Sequence, residues 1–76
     1  MIVVLAKGKT VLGGATLIAK GDMKEIRATA QVPLYRKLGE QETQIDSIPV
    51  DVSKFARKPL KKQVRETMEN FYSLAY

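Results

Sequence analysis

The chain is 76 residues long, 45% apolar and 28% charged, with thirteen Lys and Arg against eight Asp and Glu, a net charge of +5. That length suits one domain, 1–76, with one small core that buries about 60% of the unfolded surface. There is no His, Cys or Trp, so a disulfide framework, a thiolate zinc cage, a thiol nucleophile and an imidazole base are all excluded.

The run Ile2–Ala6 is aliphatic and ends at Lys7 and Lys9. It is too short for a membrane span and lacks the basic start of a secretory signal. A soluble, cytoplasmic protein with no membrane partner is the expectation. The run also reads as a first strand over 2–7, apolar on both faces. A second strand is expected over 10–19, bulged at Gly13-Gly14. Gly21-Asp22 supplies a turn. Residues 24–32 then alternate, with Ile26, Ala28, Ala30 and Val32 opposite Glu25, Arg27, Thr29 and Gln31. This is the period of a half-buried antiparallel strand, ended or placed at a sheet edge by Pro33.

Residues 38–43 are polar and read as a loop, and Ile48, Val50 and Val52 suggest a short edge strand over 46–52. Leu60, Val64, Met68, Phe71 and Ala75 recur on one helical stripe, so 59–75 is expected to be an amphipathic helix with Pro59 at its first position. The expected fold is α+β: a small antiparallel meander of three to four strands with one C-terminal helix packed across it. One helix covers one face only. A second copy of the chain is the simplest cover for the other, which makes a homo-oligomer the expected state.

Few motifs carry chemistry. Gly8-Lys9-Thr10 resembles the end of a phosphate loop, but Val3 stands where its first glycine belongs and Val11-Leu12-Gly13-Gly14 is a poor helix start. A glycine turn beside a solvated lysine is the better reading. The carboxylates Glu40, Glu42, Asp46 and Asp51 form a solvated acidic stretch rather than an acid–base pair or a metal site. No catalytic residue, metal or cofactor is expected, and the protein reads as a non-enzyme.

Charge is patterned in blocks. Residues 1–38 carry seven basic and two acidic side chains, residues 39–53 four acidic and none basic, and residues 54–76 six basic and two acidic. The densest block is Lys54, Arg57, Lys58, Lys61, Lys62 and Arg65, straddling the expected helix start. Cations there oppose the positive end of the helix dipole, at about 0.3–1 kcal/mol each when exposed. An anionic partner would account for the arrangement: an acidic protein surface, the chain's own acidic segment, or nucleic acid. None of the aromatics (Tyr35, Phe55, Phe71, Tyr72 and Tyr76) falls on an expected strand, so a base-stacking sheet is not foreseen. Phe71 is assigned to the core with Tyr72 and Tyr76 at its margin; the alternative is that Tyr72 and Tyr76 form an aromatic anchor for a partner pocket.

The functional expectation is a small, self-associating protein-interaction module that modulates or assembles with a larger partner through an acidic surface. By analogy, small accessory or inhibitor proteins of phages and mobile elements are built this way. The alternative is non-specific nucleic-acid binding through 54–65.

Overall fold

A computed structural model describes residues 1–75. The strands are β1 (Ile2–Thr10), β2 (Thr16–Asp22), β3 (Gln31–Leu38), β4 (Gln41–Pro49) and β5 (Leu74–Ala75), and the helices are α1 (Met23–Thr29) and α2 (Leu60–Phe71). A 3₁₀ turn, Val52–Lys54, precedes α2. All pairings are antiparallel, in the order β4-β3-β2-β1-β5. The class is therefore α+β, with five strands in a curled sheet and two helices. No described helix is long and apolar enough to cross a membrane.

Several elements differ from the sequence reading, each for a local reason. β1 runs on to Thr10, and Gly13 and Gly14 (φ 90° and 68°) form the hairpin turn rather than a bulge. Two successive positive φ values are accessible at low cost only to glycine. Thr10 clamps the turn, its N–H and hydroxyl both donating to the Ala15 carbonyl at 2.8 and 3.0 Å. The irregularity of the β1–β2 ladder falls instead between Val4 and Ala6, where both Leu5 and Ala6 are buried, and a second one lies in the β3–β4 ladder between Leu34 and Tyr35.

The strand expected over 24–32 is a helix followed by the start of β3. Asp22 caps α1, its Oδ1 accepting the Lys24 N–H at 2.8 Å, and Glu25 lies in the first turn. Ala30 ends the helix in the left-handed region at φ 57°, donating its N–H to Ile26 O at 2.7 Å. Seven residues with one buried side chain, Ile26, are too few for a helical period to stand out against chance alternation.

β3 includes Pro33 although it lies between β2 and β4. The β2 ladder meets β3 only over Leu34–Lys37, so the proline sits beyond it and pairs with Ser47 of β4 alone. A missing N–H breaks nothing there. The loop expected over 38–43 is the tight β3–β4 hairpin, turned at Gly39 (φ 63°), and its polar residues belong to β4. The expected strand 46–52 is correspondingly the end of β4, after which Val52 begins the 3₁₀ turn.

The helix expected over 59–75 stops at Phe71. Tyr72 is extended (φ −131°, ψ 141°), and Leu74 and Ala75 pair with Thr10 and Lys9 of β1. Nor does α2 lie across the whole sheet. It meets chiefly β1 and β4, the outer strands of the four-strand run, and buries Leu60, Val64 and Met68. These three side chains join Leu5, Leu17, Ala19, Ile26, Val32, Leu34, Ile48 and Val50 in one cluster. The curl brings both outer strands to the helix, and α2 fills the opening between them.

Leu34 and Leu38 separate core from surface within β3, at 0% and 58% exposure. Leu34→Ala should lower unfolding stability by about 2–5 kcal/mol. Leu38→Ala should change it by less than about 0.5 kcal/mol. Urea denaturation of the two variants checks the assignment.

Candidate binding surfaces

The basic segment is held in place by its own neighbours. Gln63 of α2 accepts the Asp51 N–H through Oε1 at 2.9 Å and donates from Nε2 to the Asp51 and Lys58 carbonyls, both at 3.1 Å. One side chain thus fastens both ends of the stretch from Asp51 to Lys58 to the first turns of α2. Within that stretch Asp51 caps the 3₁₀ turn, with the Ser53 hydroxyl donating to Oδ1 at 2.6 Å. These bonds hold the Asp51 carboxyl below its usual range, the Ser53 hydroxyl contributing most.

The six basic residues divide into two sets. Lys54 pairs with Asp51 at 3.7 Å, and Lys58 pairs with Glu66. Arg57, Lys61, Lys62 and Arg65 are exposed and have no salt-bridge partner among the described residues. Pro59 occupies the α2 N-cap and makes no side-chain cap, and no acidic residue lies in the first turn. Lys61, Lys62 and Arg65 line a shallow depression with Pro59, Glu66 and Glu69.

The acidic segment does not neutralise this surface. Glu42 is bound by Lys20 at 2.6 Å, and Asp46 accepts the Tyr72 hydroxyl at 2.5 Å. The Asp51 carboxylate is held by Ser53 and Lys54, so although the Asp51 backbone is tied to Gln63, the carboxylates of 40–51 are not docked on the exposed cations of α2.

Of the two expected aromatic anchors, Tyr72 is partly buried against the core and tied to Asp46. Tyr76 lies outside the described residues. The exposed aromatic is Phe71, at 78%, beside a groove lined also by Ile48, Pro49 and Thr67. Phe71 is the last residue of the helix, and the chain turns extended at Tyr72, which packs against the core in its stead.

The outward face of the sheet is better covered than its single layer suggests. Ile18 alternates with the core residues Leu17 and Ala19 and faces away from them, yet is only 9% exposed. Lys7 and Tyr35 stand directly across from it on β1 and β3. Their long side chains shelter the isoleucine. The Lys20 ammonium lies 5.0 Å from the Tyr35 ring centroid. Tyr35 is thus an aromatic on a strand, which the sequence reading did not foresee because it ended the third strand before reaching it.

No protein-family model, curated protein or solved structure matches this chain.

The Tyr72–Asp46 bond gives a pH signature. Burial, then the Asp46 hydrogen bond, push the Tyr72 phenol up to about 12. The Tyr72 hydrogen bond, then the Ser47 N–H, hold the Asp46 carboxyl below its usual range. The phenol's contribution to stability is full below its ordinary value of about 10 and disappears as pH rises through the folded value. The carboxylate's contribution is full above about 4 and disappears as pH falls through its lowered value. The stability difference between wild type and Tyr72→Phe should therefore be flat between those limits and shrink at both extremes. Urea denaturation across pH measures it, and a difference independent of pH would contradict the assignment.

Proposed function

We propose that this protein is a small, non-enzymatic interaction module that docks an acidic protein surface onto the exposed face of α2. Lys61, Lys62 and Arg65, with Arg57 from the preceding turn, make the contact. The supporting observation is that these four cations have no salt-bridge partner among the described residues while Lys54 and Lys58 are used internally. Two of them also sit in the first turn of an uncapped helix, where they oppose the dipole. Fold stability does not account for that placement, whereas an anionic partner does.

The alternative for 54–65, non-specific nucleic-acid binding, is less well served by the same surface. Glu66 and Glu69 line the depression with the cations. A phosphate backbone is repelled by such carboxylates, while a protein surface of mixed charge can match them. Phe71, exposed beside its groove, offers apolar contact toward the other end of the helix.

Self-association belongs to the same reading. Ile2 and Val4 are exposed on the outward face of β1, paired across from Asp22 and Lys20. A second copy would remove this apolar area from water. Light scattering should then give a mass above 8.5 kDa, and Val4→Asp should bring it down to that value. A wild-type monomer removes the self-association element.

The docking element is tested by affinity capture from the native host with mass spectrometry. The wild type should retain a defined acidic protein at near-physiological salt, and the Lys61→Glu, Lys62→Glu, Arg65→Glu variant should lose it. Equal retention by both proteins overturns the docking assignment.

A further inference from the structure

The outward sheet face carries a second set of charges, separate from α2. Partner residues in an antiparallel ladder share a face. The register therefore sets Lys7, Ile18, Tyr35 and Gln44 in one row across β1 to β4, and Lys9, Thr16, Lys37 and Glu42 in the next. Lys7, Lys9 and Lys37 are exposed and have no salt-bridge partner among the described residues. Glu42, the carboxylate of these two rows, is already bound by Lys20. Strand geometry spaces Lys7 and Lys9 about 7 Å apart, with Lys37 about 10 Å from Lys9 across two strands.

The same face has a groove of about 350 Å³ with Tyr35 but none of these lysines in its lining. Gln31, Gln44 and Ser47 add amide and hydroxyl groups to the groove, and Asp22 and Glu25 add carboxylates. Amides and carboxylates match the donors and acceptors on base edges, and an aromatic ring offers a base a stacking surface, which at Tyr35 a base shares with, or takes from, the Lys20 ammonium 5.0 Å from the ring centroid. Carboxylates in the groove disfavour phosphate there, while the three lysines favour it just outside. Charge and chemistry therefore divide the face into a backbone track and a base groove.

We infer that this face binds single-stranded nucleic acid, with Lys7, Lys9 and Lys37 on phosphates and one base against Tyr35 in the groove. A duplex fits it less well, because its bases are stacked on one another and one would have to leave the helix to enter. The inference is independent of the α2 docking surface and uses none of its residues.

Fluorescence anisotropy with a labelled single-stranded oligothymidylate tests it. Binding is expected at about 50 mM salt, with a log–log salt slope near −2.1 for three phosphates on a single strand. The matching duplex should bind more weakly. The Lys7→Gln, Lys9→Gln, Lys37→Gln variant should lose binding, and Tyr35→Leu should weaken it by about 5- to about 150-fold, the range for one base–aromatic stack. Tyr35→Phe should retain it, as should the Lys61→Gln, Lys62→Gln, Arg65→Gln variant. Should Tyr35→Leu unfold, the wild-type Tyr35 ring protons serve instead: stacking shifts them upfield as oligonucleotide is added. The inference is overturned by absence of binding at that salt, by binding lost in the α2 variant but kept in the sheet variant, or by unmoved Tyr35 signals.

Discussion

Leu60, Val64 and Met68 close a curled sheet that cannot close itself. Among the described residues β5 contributes two beside β1, and the opening between β1 and β4 is filled by the helix. Val64 and Met68 are fully buried there, and the sheet's own core residues meet them in one cluster. The rest of the molecule depends on where this helix lies. Gln63 fixes its first turns to the Asp51–Lys58 stretch, and the Tyr72–Asp46 bond fixes the residue after its last turn to β4. A helix anchored at both ends presents its outward side chains from a fixed position. Docking on a fixed helix loses less backbone entropy than docking on a mobile segment.

That arrangement separates the surface cations by chemistry. On α2 they stand among carboxylates, in the mixed pattern that suits another protein. On the outward sheet face Lys7, Lys9 and Lys37 share two rows with Tyr35, Gln44 and the paired Glu42, and the carboxylates Asp22 and Glu25 line the groove apart from them. A net charge of +5 conceals this difference. Asp22, Glu42, Asp46, Asp51 and Glu66 are each engaged inside the fold, by Met1, Lys20, Tyr72, Ser53 and Lys54, and Lys58 respectively. The carboxylates thus mostly serve the fold, and many of the cations are left for whatever the protein meets.

Where sequence and structure agree, a buried side chain repeats with enough period to be seen. Leu60, Val64 and Met68 specify α2; the aliphatic run Ile2–Ala6 marks β1, although only Leu5 and Ala6 of it are buried and Ile2 and Val4 are exposed. Where they part, the signal is short or polar. β4 exposes every residue from Gln41 to Asp46, so its strand pattern has no apolar half to reveal it. α1 is two turns long, and its capping residues Asp22 and Glu25, spaced as in a capping box, were the available sign against a strand. Pro33 was read as a strand end because a proline inside a sheet breaks a ladder, and only the staggered β2–β3 register shows why it does not. The basic segment was legible as a charge cluster, but its division into internal and unpartnered cations was not, because Glu66 and Asp51 choose their lysines by geometry. Tyr35 followed the misplaced third strand, and the outward face was lost with it.

On this reading the unpartnered cations of α2 are surplus to the fold. The thermal midpoint of the Lys61→Gln, Lys62→Gln, Arg65→Gln variant tests it most directly. Removing cations that oppose the helix dipole should leave the midpoint unchanged or raise it by a few degrees. A fall of more than about 4 °C, corresponding to about 1 kcal/mol in a domain of this size, would show that these side chains serve the fold and contradict the account.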